Sequence, residues 1–389
     1  MAPDRELTLG NWMEPPYNRA AFQRVRELSP TALIRNRSGR VCSLPQRPAG
    51  LDSLVVERFD GTRVSFAEHL DVSFCDAICI VHDGAVVYER YLNGMTDETP
   101  HLIMSVSKSI TAGALGASIG RGLLAGGDRV CEVAPEFAGT SLDGATVQHV
   151  IDMTTGTGFV EDYDVYDDPN GDAPLIEYER HAGYRPLGAR TPIGTLGHFR
   201  TYPKAFDHGT RFVYRSPLTN IVARMLEVVN GERFPDIVSR DLWGPLGEEH
   251  DADIMLDPLG HPVAEGGISC TLRDLARFGL AYLDEGVVDG MEVLPAAWVA
   301  DTLHGTDAGQ AAFQAGEKAE LGWDQYRNAF WVFERDRVAS GLGIFGQYCY
   351  VHRPSRTVIA RFSTYPSAVP EELSAETIGA FAAVCEAVA

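Results

Sequence analysis

The sequence predicts an α+β fold, in which an antiparallel sheet is flanked by helices and carries a mainly helical insertion. β-rich segments lie near both ends of the chain, and segments with a helical period fill its middle. The clearest strand pair is the hairpin Ala77–His82 and Ala85–Tyr91, because the Asp83-Gly84 pair between two β-branched runs is a strong turn signal. The economical arrangement places strands from both ends of the chain in one sheet.

The other elements are predicted from hydrophobic period and from Gly and Pro boundaries. A helix is expected directly after Ser105, through the small and apolar residues Ile110–Ile119. Further strands are predicted over Leu54–Phe59, Thr62–Phe66, Ala329–Phe333, Gly343–Val351 and Thr357–Ser363. Further helices are predicted near Ala20–Leu28 and over Thr146–Met153, Pro217–Asn230, Phe234–Leu242, Leu272–Asp284, Leu294–Leu303 and Glu371–Ala387. The polar, Tyr-rich stretch between residues 156 and 201 is predicted to be an ordered loop over a cleft.

These elements divide the chain into three parts. Residues 1–50, which are rich in Pro and Arg, are predicted to form an arm packed on the main body. Residues 51–127 and 291–389 together are predicted to form the antiparallel sheet domain with its flanking helices, and residues 128–290 a mainly helical domain. We expect the functional site in the cleft between the two domains, where ligand sites are common.

The composition argues against several classes of partner. The 389 residues carry 33 basic and 54 acidic side chains, and the net charge of −21 disfavours nucleic acid and an anionic membrane surface. The seven cysteines are scattered in mostly apolar runs, which is typical of reduced thiols, and no apolar run reaches the length of a membrane span. We therefore expect a cytoplasmic protein with a small-molecule partner. The oligomeric state stays open, with a homodimer as one arrangement.

No ligand set for a metal ion is recognisable in the sequence. His82, His101, His149 and His304 are far apart and show none of the usual ligand spacings. Each is more simply interpreted as a structural or surface histidine.

The main chemical pattern is a serine and a lysine three residues apart, Ser105 and Lys108, at the start of a predicted helix. Residues three apart share a helix face, so the Lys108 amine would lie beside the Ser105 hydroxyl. A serine hydroxyl is a weak nucleophile until a neighbouring base takes its proton. The first helical turn also offers unpaired N–H groups and a partial positive charge to a developing oxyanion. The bare spacing also occurs by chance in many chains.

Two later segments support this pattern. Tyr214-x-Ser216 precedes another predicted helix, and a phenol near a Lys ammonium can have its pKa lowered and serve as a proton shuttle. Taken alone, it is much more often a packed tyrosine beside a helix N-cap. The Gly-rich segment Ser340–Gln347 is predicted to open a strand, and one of its N–H groups could complete an oxyanion hole with that of Ser105. The alternative is a Gly-rich edge strand or bulge.

In this order the three segments resemble the motifs of the penicillin-recognising serine hydrolases, the superfamily of class C β-lactamases, DD-peptidases and related esterases. Several local strings are similar to the 6-aminohexanoate-dimer hydrolases, or nylon-oligomer hydrolases: Trp12-x-Glu14-Pro-Pro, Leu102-x-Met-Ser-Val-Ser-Lys-Ser109, Glu161-Asp-Tyr163 and Gly341-x-Gly-Ile-x-Gly-Gln347. The resemblance implies a β-lactamase/DD-peptidase-like fold. It also implies a serine hydrolase that cleaves small linear amides or short carboxylate esters through an acyl-enzyme, without a metal or an organic cofactor.

The resemblance also implies a role for each matching residue. Ser105 would be the nucleophile, Lys108 and Tyr214 would exchange its proton and protonate the leaving group, and the N–H groups of Ser105 and Ile344 would form the oxyanion hole. Tyr163, on the predicted loop, would hydrogen-bond the substrate amide. The remaining implied substrate-binding residues are Glu179 and Glu265, where an acidic pair would suit an ammonium group, and Ser216.

One departure from the superfamily pattern narrows the chemistry. Gly341-Leu-Gly343 stands where β-lactamases carry Lys-Thr-Gly, so the cation and hydroxyl that would hold a β-lactam carboxylate are missing. The alternatives that stay open are a β-lactamase or DD-peptidase-type enzyme and a non-catalytic ligand-binding protein on the same fold.

Overall fold

The computed structural model describes residues 6–167 and 171–389, so the first five residues of the predicted arm lie outside it. Its strands are β1 (Thr31–Ile34), β2 (Val55–Glu57), β3 (Arg63–Ser65), β4 (Cys75–His82), β5 (Ala85–Tyr91), β6 (His101–Leu102), β7 (Ala252–Met255), β8 (Ile268–Cys270), β9 (Val287–Val288), β10 (Met291–Glu292), β11 (Gln325–Arg327), β12 (Phe330–Glu334), β13 (Val338–Gly343), β14 (Gln347–His352) and β15 (Thr357–Ser363).

The α-helices of the same residues are α1 (Asn18–Ala21), α2 (Phe66–Val72), α3 (Val106–Gly120), α4 (Val130–Val133), α5 (Val147–Ile151), α6 (Pro174–Ala182), α7 (Gly194–Phe199), α8 (Pro217–Asn230), α9 (Phe234–Val238), α10 (Gly244–Leu246), α11 (Leu272–Leu283), α12 (Ala296–His304), α13 (Asp307–Gln314) and α14 (Glu371–Val388). Within the described ranges, no helix is both long and apolar enough to cross a membrane.

A seven-stranded antiparallel sheet forms the centre of the fold, with the strand order β11-β12-β13-β14-β15-β4-β5. Strands β4 and β5 come from the first quarter of the chain and the other five from the last quarter. The two groups join where β15 pairs with β4, from Thr357 opposite His82 to Ser363 opposite Cys75. The predicted α+β class, with an antiparallel sheet built from both chain ends, is therefore confirmed.

The β4–β5 hairpin forms as predicted, and its turn explains why. Asp83 and Gly84 both adopt a left-handed conformation, with φ of 45° and 71°. Two such residues give a turn whose twist matches that of the strands, and glycine adopts this conformation without a steric cost.

Helices cover both faces of the sheet. On one face Phe381 of α14 packs against the rings of Tyr348 and Tyr350, each at a centroid distance of 5.3 Å. On the other face α11 lies against β4, β14 and β15. Gly279 permits this close approach, because a Cβ there would stand 2.5 Å from Val358. A sheet buried on both faces gives the neighbouring site a rigid support.

A second, four-stranded sheet has the order β1-β7-β8-β6 and was not predicted. Its strands are only two to four residues long, which leaves too few residues for a readable period. β1 comes from the N-terminal arm, and β6 ends three residues before Ser105. The hydrogen bond from the Ile103 N–H to the Ile268 carbonyl, at 2.9 Å, ties the chain before Ser105 to β8.

Two segment predictions are wrong. Gly343–Val351 is not one strand, because Phe345 and Gly346 adopt φ of 63° and 87° and reverse the chain between β13 and β14. The stretch between residues 156 and 201 is not a continuous loop, since it contains α6 and α7. The signals for α6 were present in the sequence: Pro174 occupies its first turn, and Gly183 ends it with a φ of 85°.

The predicted division into domains at residues 127/128 and 290/291 remains a prediction. Helix α11 belongs in sequence to the segment 128–290, and it packs on the central sheet.

Candidate active site

Ser105 stands at the N-terminus of α3, directly after a strained residue. Met104 adopts a left-handed φ of 46°, which costs about 1–3 kcal/mol in a residue other than glycine and persists only where packing enforces it. Met104 is buried, and so is almost all of α3. Small residues let this helix pack closely, since a Cβ on Gly116 would stand 2.6 Å from the ring of Trp298. The serine is therefore presented by a rigid, buried helix.

Lys108 lies beside the Ser105 hydroxyl, as the three-residue spacing predicts. Its Nζ is 2.8 Å from Ser105 Oγ and 2.6 Å from the backbone carbonyl oxygen of Glu265. The side chain is only 1% exposed. Burial lowers the pKa of the Lys108 ammonium to about 8, against the opposing effect of the Glu161 and Glu265 carboxylates. A lysine with this pKa can accept a proton near neutral pH.

Tyr214 faces the same lysine through its ring. Nζ of Lys108 lies 5.2 Å from the ring centroid, and the ring stacks on Trp331 at 5.5 Å with an interplanar angle of 17°. The expectation of a lowered pKa is wrong. Burial raises the pKa of the Tyr214 phenol, and the carboxylates of Glu161 and Glu265 raise it further. Tyr214 is therefore a neutral phenol that can pass on a proton, and Lys108 is the better base.

Ile344 lies in the turn between β13 and β14 and lines the pocket that contains Ser105. The Gln347 side chain holds this turn, because its amide donates to the carbonyl of Phe345 at 3.2 Å and to that of Ser363 at 2.6 Å. Neither Ser105 nor Ile344 lies inside a regular helix or strand. Among the described residues, no backbone hydrogen bond of a turn, loop or helix cap has the N–H of Ser105 or of Ile344 as its donor. Such unpaired donors beside a nucleophile are the elements of an oxyanion hole.

The carboxylate of Glu161 binds the predicted substrate-binding residues Ser216 and Tyr163. It accepts the Ser216 hydroxyl at 2.6 Å, the Ser216 N–H, and the Tyr163 hydroxyl at 2.5 Å. Ser216 precedes α8 without capping it, because its side chain is engaged by Glu161. Tyr163 lies in the irregular segment before α6, as expected. Sequence reasoning gave Glu161 no role, although it is two residues from Tyr163.

Glu179 is neither on a loop nor solvated. It lies on α6, is 5% exposed, and accepts hydrogen bonds from the Tyr166 hydroxyl and from Nε of Arg185. Burial raises the pKa of Glu179, and the charge of Arg185 acts in the opposite direction. Arg185 also stacks over the ring of Tyr166 at 5.1 Å. The charge of Glu179 is therefore already compensated inside the protein.

Glu265 carries the second predicted carboxylate and differs from Glu179 in its partners. Oε1 accepts the Tyr178 hydroxyl at 2.8 Å, and Asn220 in turn donates to that hydroxyl at 2.7 Å. Oε2 is buried and has no hydrogen-bond partner among the described residues. Burial raises the pKa of Glu265 to about 7, although the charge of Lys108 acts against this. An unpaired carboxylate oxygen beside Ser105 is open to a donor group of a ligand.

These residues enclose a catalytic pocket of about 40 Å³. The pocket is lined by Met13, Met104, Ser105, Glu161, Tyr163, Tyr166, Leu175, Tyr178, Glu179, Tyr184, Ser216, Glu265, Gly266 and Ile344. A larger groove of about 850 Å³ lies among Asp284, Glu285, Arg353 and Arg356 and shares none of these residues. The smaller pocket is the better candidate, because it is lined by Ser105, whose hydroxyl lies 2.8 Å from the buried amine of Lys108. Among the described residues, no three His, Cys, Asp or Glu side chains are grouped to hold a metal ion.

Comparison with known proteins decides the family. The sequence profile of the beta-lactamase family matches residues 73–383. The chain belongs to the beta-lactamase family. It is 34% identical over 364 residues to the 6-aminohexanoate-dimer hydrolase of Paenarthrobacter ureafaciens, which covers 93% of this chain and 89% of the relative. The resemblance inferred from the motifs is confirmed, and the chain is a serine hydrolase of this family.

Several solved structures share this fold. A Bacillus anthracis protein, described provisionally as a 6-aminohexanoate-dimer hydrolase, superposes with a TM-score of 0.89 at 22% identity, covering 100% of this chain and 98% of the other. EstCE1, a hydrolase with promiscuous acyltransferase activity, gives a TM-score of 0.61 at 16% identity, covering 82% and 98%. A family VIII carboxylesterase gives 0.55 at 14% identity, covering 81% and 97%.

Residues 341–343 stand where β-lactamases carry Lys-Thr-Gly, and residues 341 and 343 have no room for a side chain in this structure. A Cβ on Gly341 would stand 2.8 Å from Ser109 Oγ, and one on Gly343 would stand 2.6 Å from the Ile103 carbonyl oxygen. Ser109 lies one helical turn after Ser105. The two glycines thus let β13 approach α3 closely, and a side chain at residue 341 would require either Ser109 or the strand to move.

Sequence reasoning missed the residues that hold the site together. Besides Glu161, they are Arg185 on Glu179, Tyr178 on Glu265 and Met13 in the pocket wall. A local sequence pattern could have indicated Arg185 and Tyr178, since each lies within six residues of Glu179. No local pattern could have indicated Met13, because only the folded arm brings it beside Ser105.

Proposed function

We propose that this protein hydrolyses small linear amides and short carboxylate esters through an acyl-enzyme on Ser105. The observation that carries the proposal is the 2.8 Å approach of Lys108 Nζ to Ser105 Oγ at the start of a buried helix. The family membership supports the reaction class, and the lowered pKa of Lys108 supports its role as the base.

The proposed reaction moves one proton around the site. Neutral Lys108 takes the proton of the Ser105 hydroxyl as Oγ attacks the carbonyl carbon, and the N–H groups of Ser105 and Ile344 stabilise the oxyanion. The Tyr214 phenol then gives its proton to the leaving nitrogen or oxygen and takes the proton held by Lys108. The C–N or C–O bond breaks, which leaves an ester on Ser105. Water attacks this ester with the same groups in reverse, and the acid and Ser105 are released.

The substrate class follows from the relative and from the charge of the pocket. The relative with 34% identity is a 6-aminohexanoate-dimer hydrolase, so a linear 6-aminohexanoate dimer is the first substrate to test. Its ammonium end suits an acidic pocket, and the unpaired Glu265 Oε2 is the better candidate to receive it than Glu179, which Arg185 neutralises. Tyr163 is proposed to accept a hydrogen bond from the amide N–H of the substrate.

Three further expectations stay proposals. The seven cysteines are all free thiols, which supports a cytoplasmic location. A homodimer is the assembly to test, by sedimentation of the purified chain. The cleft between a sheet domain and a helical domain is likewise proposed as the place of the site.

The experiment that tests the function compares wild type with Ser105→Ala and Lys108→Ala on 4-nitrophenyl acetate and on the linear dimer. We expect Ser105→Ala to abolish both activities and Lys108→Ala to reduce turnover by roughly 10²–10⁴-fold. Ser109→Ala, one turn further along the same helix, is the matched control and should retain activity. Ester hydrolysis that persists unchanged in Ser105→Ala would refute the proposal.

A further inference from the structure

A second pocket of about 460 Å³ lies next to the catalytic pocket. The two pockets share Met13, Tyr163 and Tyr166 as lining residues. The catalytic pocket, at about 40 Å³, is far below the roughly 300–1,000 Å³ of a typical ligand site, whereas the outer pocket falls within that range. The three shared side chains therefore form a wall between the catalytic serine and a space large enough for part of a substrate.

We assign the outer pocket to the acyl side of the proposed reaction. The leaving group must depart towards its proton donor, Tyr214, and the acyl chain stays attached to Ser105 on the opposite side. Neither Tyr214 nor Trp331, on which it stacks, lines the outer pocket. The walls of that pocket are partly apolar, with Leu9 and Val369 among the apolar residues, and partly polar and charged.

Met13 is the apolar member of the shared wall, and the N-terminal arm holds it in place. Its neighbour Trp12 donates from Nε1 to the Tyr184 carbonyl at 2.7 Å and stacks on the Tyr184 ring at an interplanar angle of 9°. Met13 itself is 7% exposed. By contrast, Tyr163 and Tyr166 are fixed by hydrogen bonds to carboxylates. The arm also precedes residue 73, where the match to the beta-lactamase family begins.

We propose that Met13 is a specificity-determining residue, which limits the length of the acyl chain by separating the catalytic pocket from the outer pocket. The inference rests on the proposed acyl-enzyme function. The outer pocket is an extension for linear aliphatic acyl chains longer than the six-carbon acyl group of the linear dimer, and the Met13 side chain blocks it. The arm thereby gives this chain a substrate filter that the rest of the fold does not supply.

The test measures kcat/KM for 4-nitrophenyl esters from acetate to octanoate. Met13→Ala joins the two pockets, so the octanoate-to-acetate ratio of kcat/KM should rise roughly tenfold, the usual size of a hydrophobic pocket effect. Met13→Leu keeps the volume and should leave this ratio close to that of wild type. Met291→Ala, an exposed methionine on β10, is the matched control for loss of a methionine side chain. Val369 lines only the outer pocket. Val369→Trp, added to Met13→Ala, fills this pocket and should reverse the rise in the octanoate-to-acetate ratio.

The outcomes separate this inference from the proposed function. A rise of less than about threefold in Met13→Ala, or an equal rise in Met13→Leu, overturns the role of Met13 while wild type still hydrolyses the acetate. Ester hydrolysis that survives in Ser105→Ala overturns the proposed function instead. Should Met13→Ala fail to fold, Met13→Val is measured in its place, and it should raise the same ratio in the same direction.

Discussion

The side-chain nitrogen of Lys108 lies 2.6 Å from the backbone carbonyl oxygen of Glu265, which is itself buried and lines the catalytic pocket. The proposed base and an acidic side chain are thus held together in a region without solvent. Their charges are coupled, because each favours the charged form of the other while burial opposes both.

This coupling predicts a shift of the pH profile. The activity should rise with pH as Lys108 loses its proton, with a midpoint near its pKa of about 8. Glu265→Gln keeps the shape and the Tyr178 hydrogen bond but removes the negative charge that raises the pKa of Lys108. The midpoint of kcat/KM for 4-nitrophenyl acetate should therefore move to lower pH. A midpoint that stays in place or moves upward contradicts the coupling.

The two acidic residues should contribute differently to the recognition of an ammonium group. Glu265 keeps one oxygen without a partner, whereas Glu179 is bound by Arg185. We expect Glu265→Gln to reduce kcat/KM for the linear 6-aminohexanoate dimer, relative to its N-acetylated form, by roughly tenfold, as for a charge-assisted hydrogen bond. Glu179→Gln is the matched comparison and should change this ratio less. A larger effect of Glu179→Gln would reverse the assignment.

Tyr163 should distinguish amides from esters. Its hydroxyl donates to Glu161, so its oxygen is oriented to accept from a substrate N–H, which an ester lacks. Tyr163→Phe should lower kcat for the linear dimer roughly three- to tenfold, the usual value of one hydrogen bond, and lower ester turnover less. Equal losses on the two substrates would show that the hydroxyl acts only by holding the local structure.

Glu248 provides a prediction for stability, away from the catalytic pocket. It is fully buried, and burial together with the negative charge of Asp274 raises its pKa well above the ordinary value, against the opposing effect of Arg277. The folded protein therefore keeps this proton where the unfolded chain loses it, so stability falls as pH rises above about 4.5. Glu248→Gln removes the titration and should stabilise the protein more at pH about 8 than at pH about 5. Urea unfolding at both pH values measures this, and a gain that is equal or larger at the lower pH contradicts it.

The sequence was informative where chemistry depends on local spacing. Ser105 and Lys108 share a helix face, and Asp83-Gly84 determines a hairpin, because three or four residues decide each feature. The turn at Ile344–Gly346 was mistaken for a strand interior, since β-rich residues surround two positions whose left-handed φ only the structure shows.

The charged surroundings of Glu179 and Tyr214 were not predicted from the sequence. An acidic residue in a polar, Tyr-rich stretch is usually solvated, yet Glu179 is buried because α6 turns it towards Arg185 and Tyr166. The pKa of Tyr214 was expected to fall near a lysine, and it rises because burial and two carboxylates outweigh the hydrogen bonds with the Ser105 and Ser216 side chains. Tyr214 and the two carboxylates that raise its pKa, Glu161 and Glu265, are brought together only by contacts between distant parts of the chain.

The central claim is that Ser105 is an activated nucleophile. Intact mass spectrometry after treatment with a fluorophosphonate probe tests it most directly, because the probe forms a stable adduct only with an activated serine. We predict one adduct on wild type, mapped to the peptide that contains Ser105, slower labelling of Lys108→Ala, and none on Ser105→Ala. An unlabelled wild-type protein, or equal labelling of Ser105→Ala, would contradict the account.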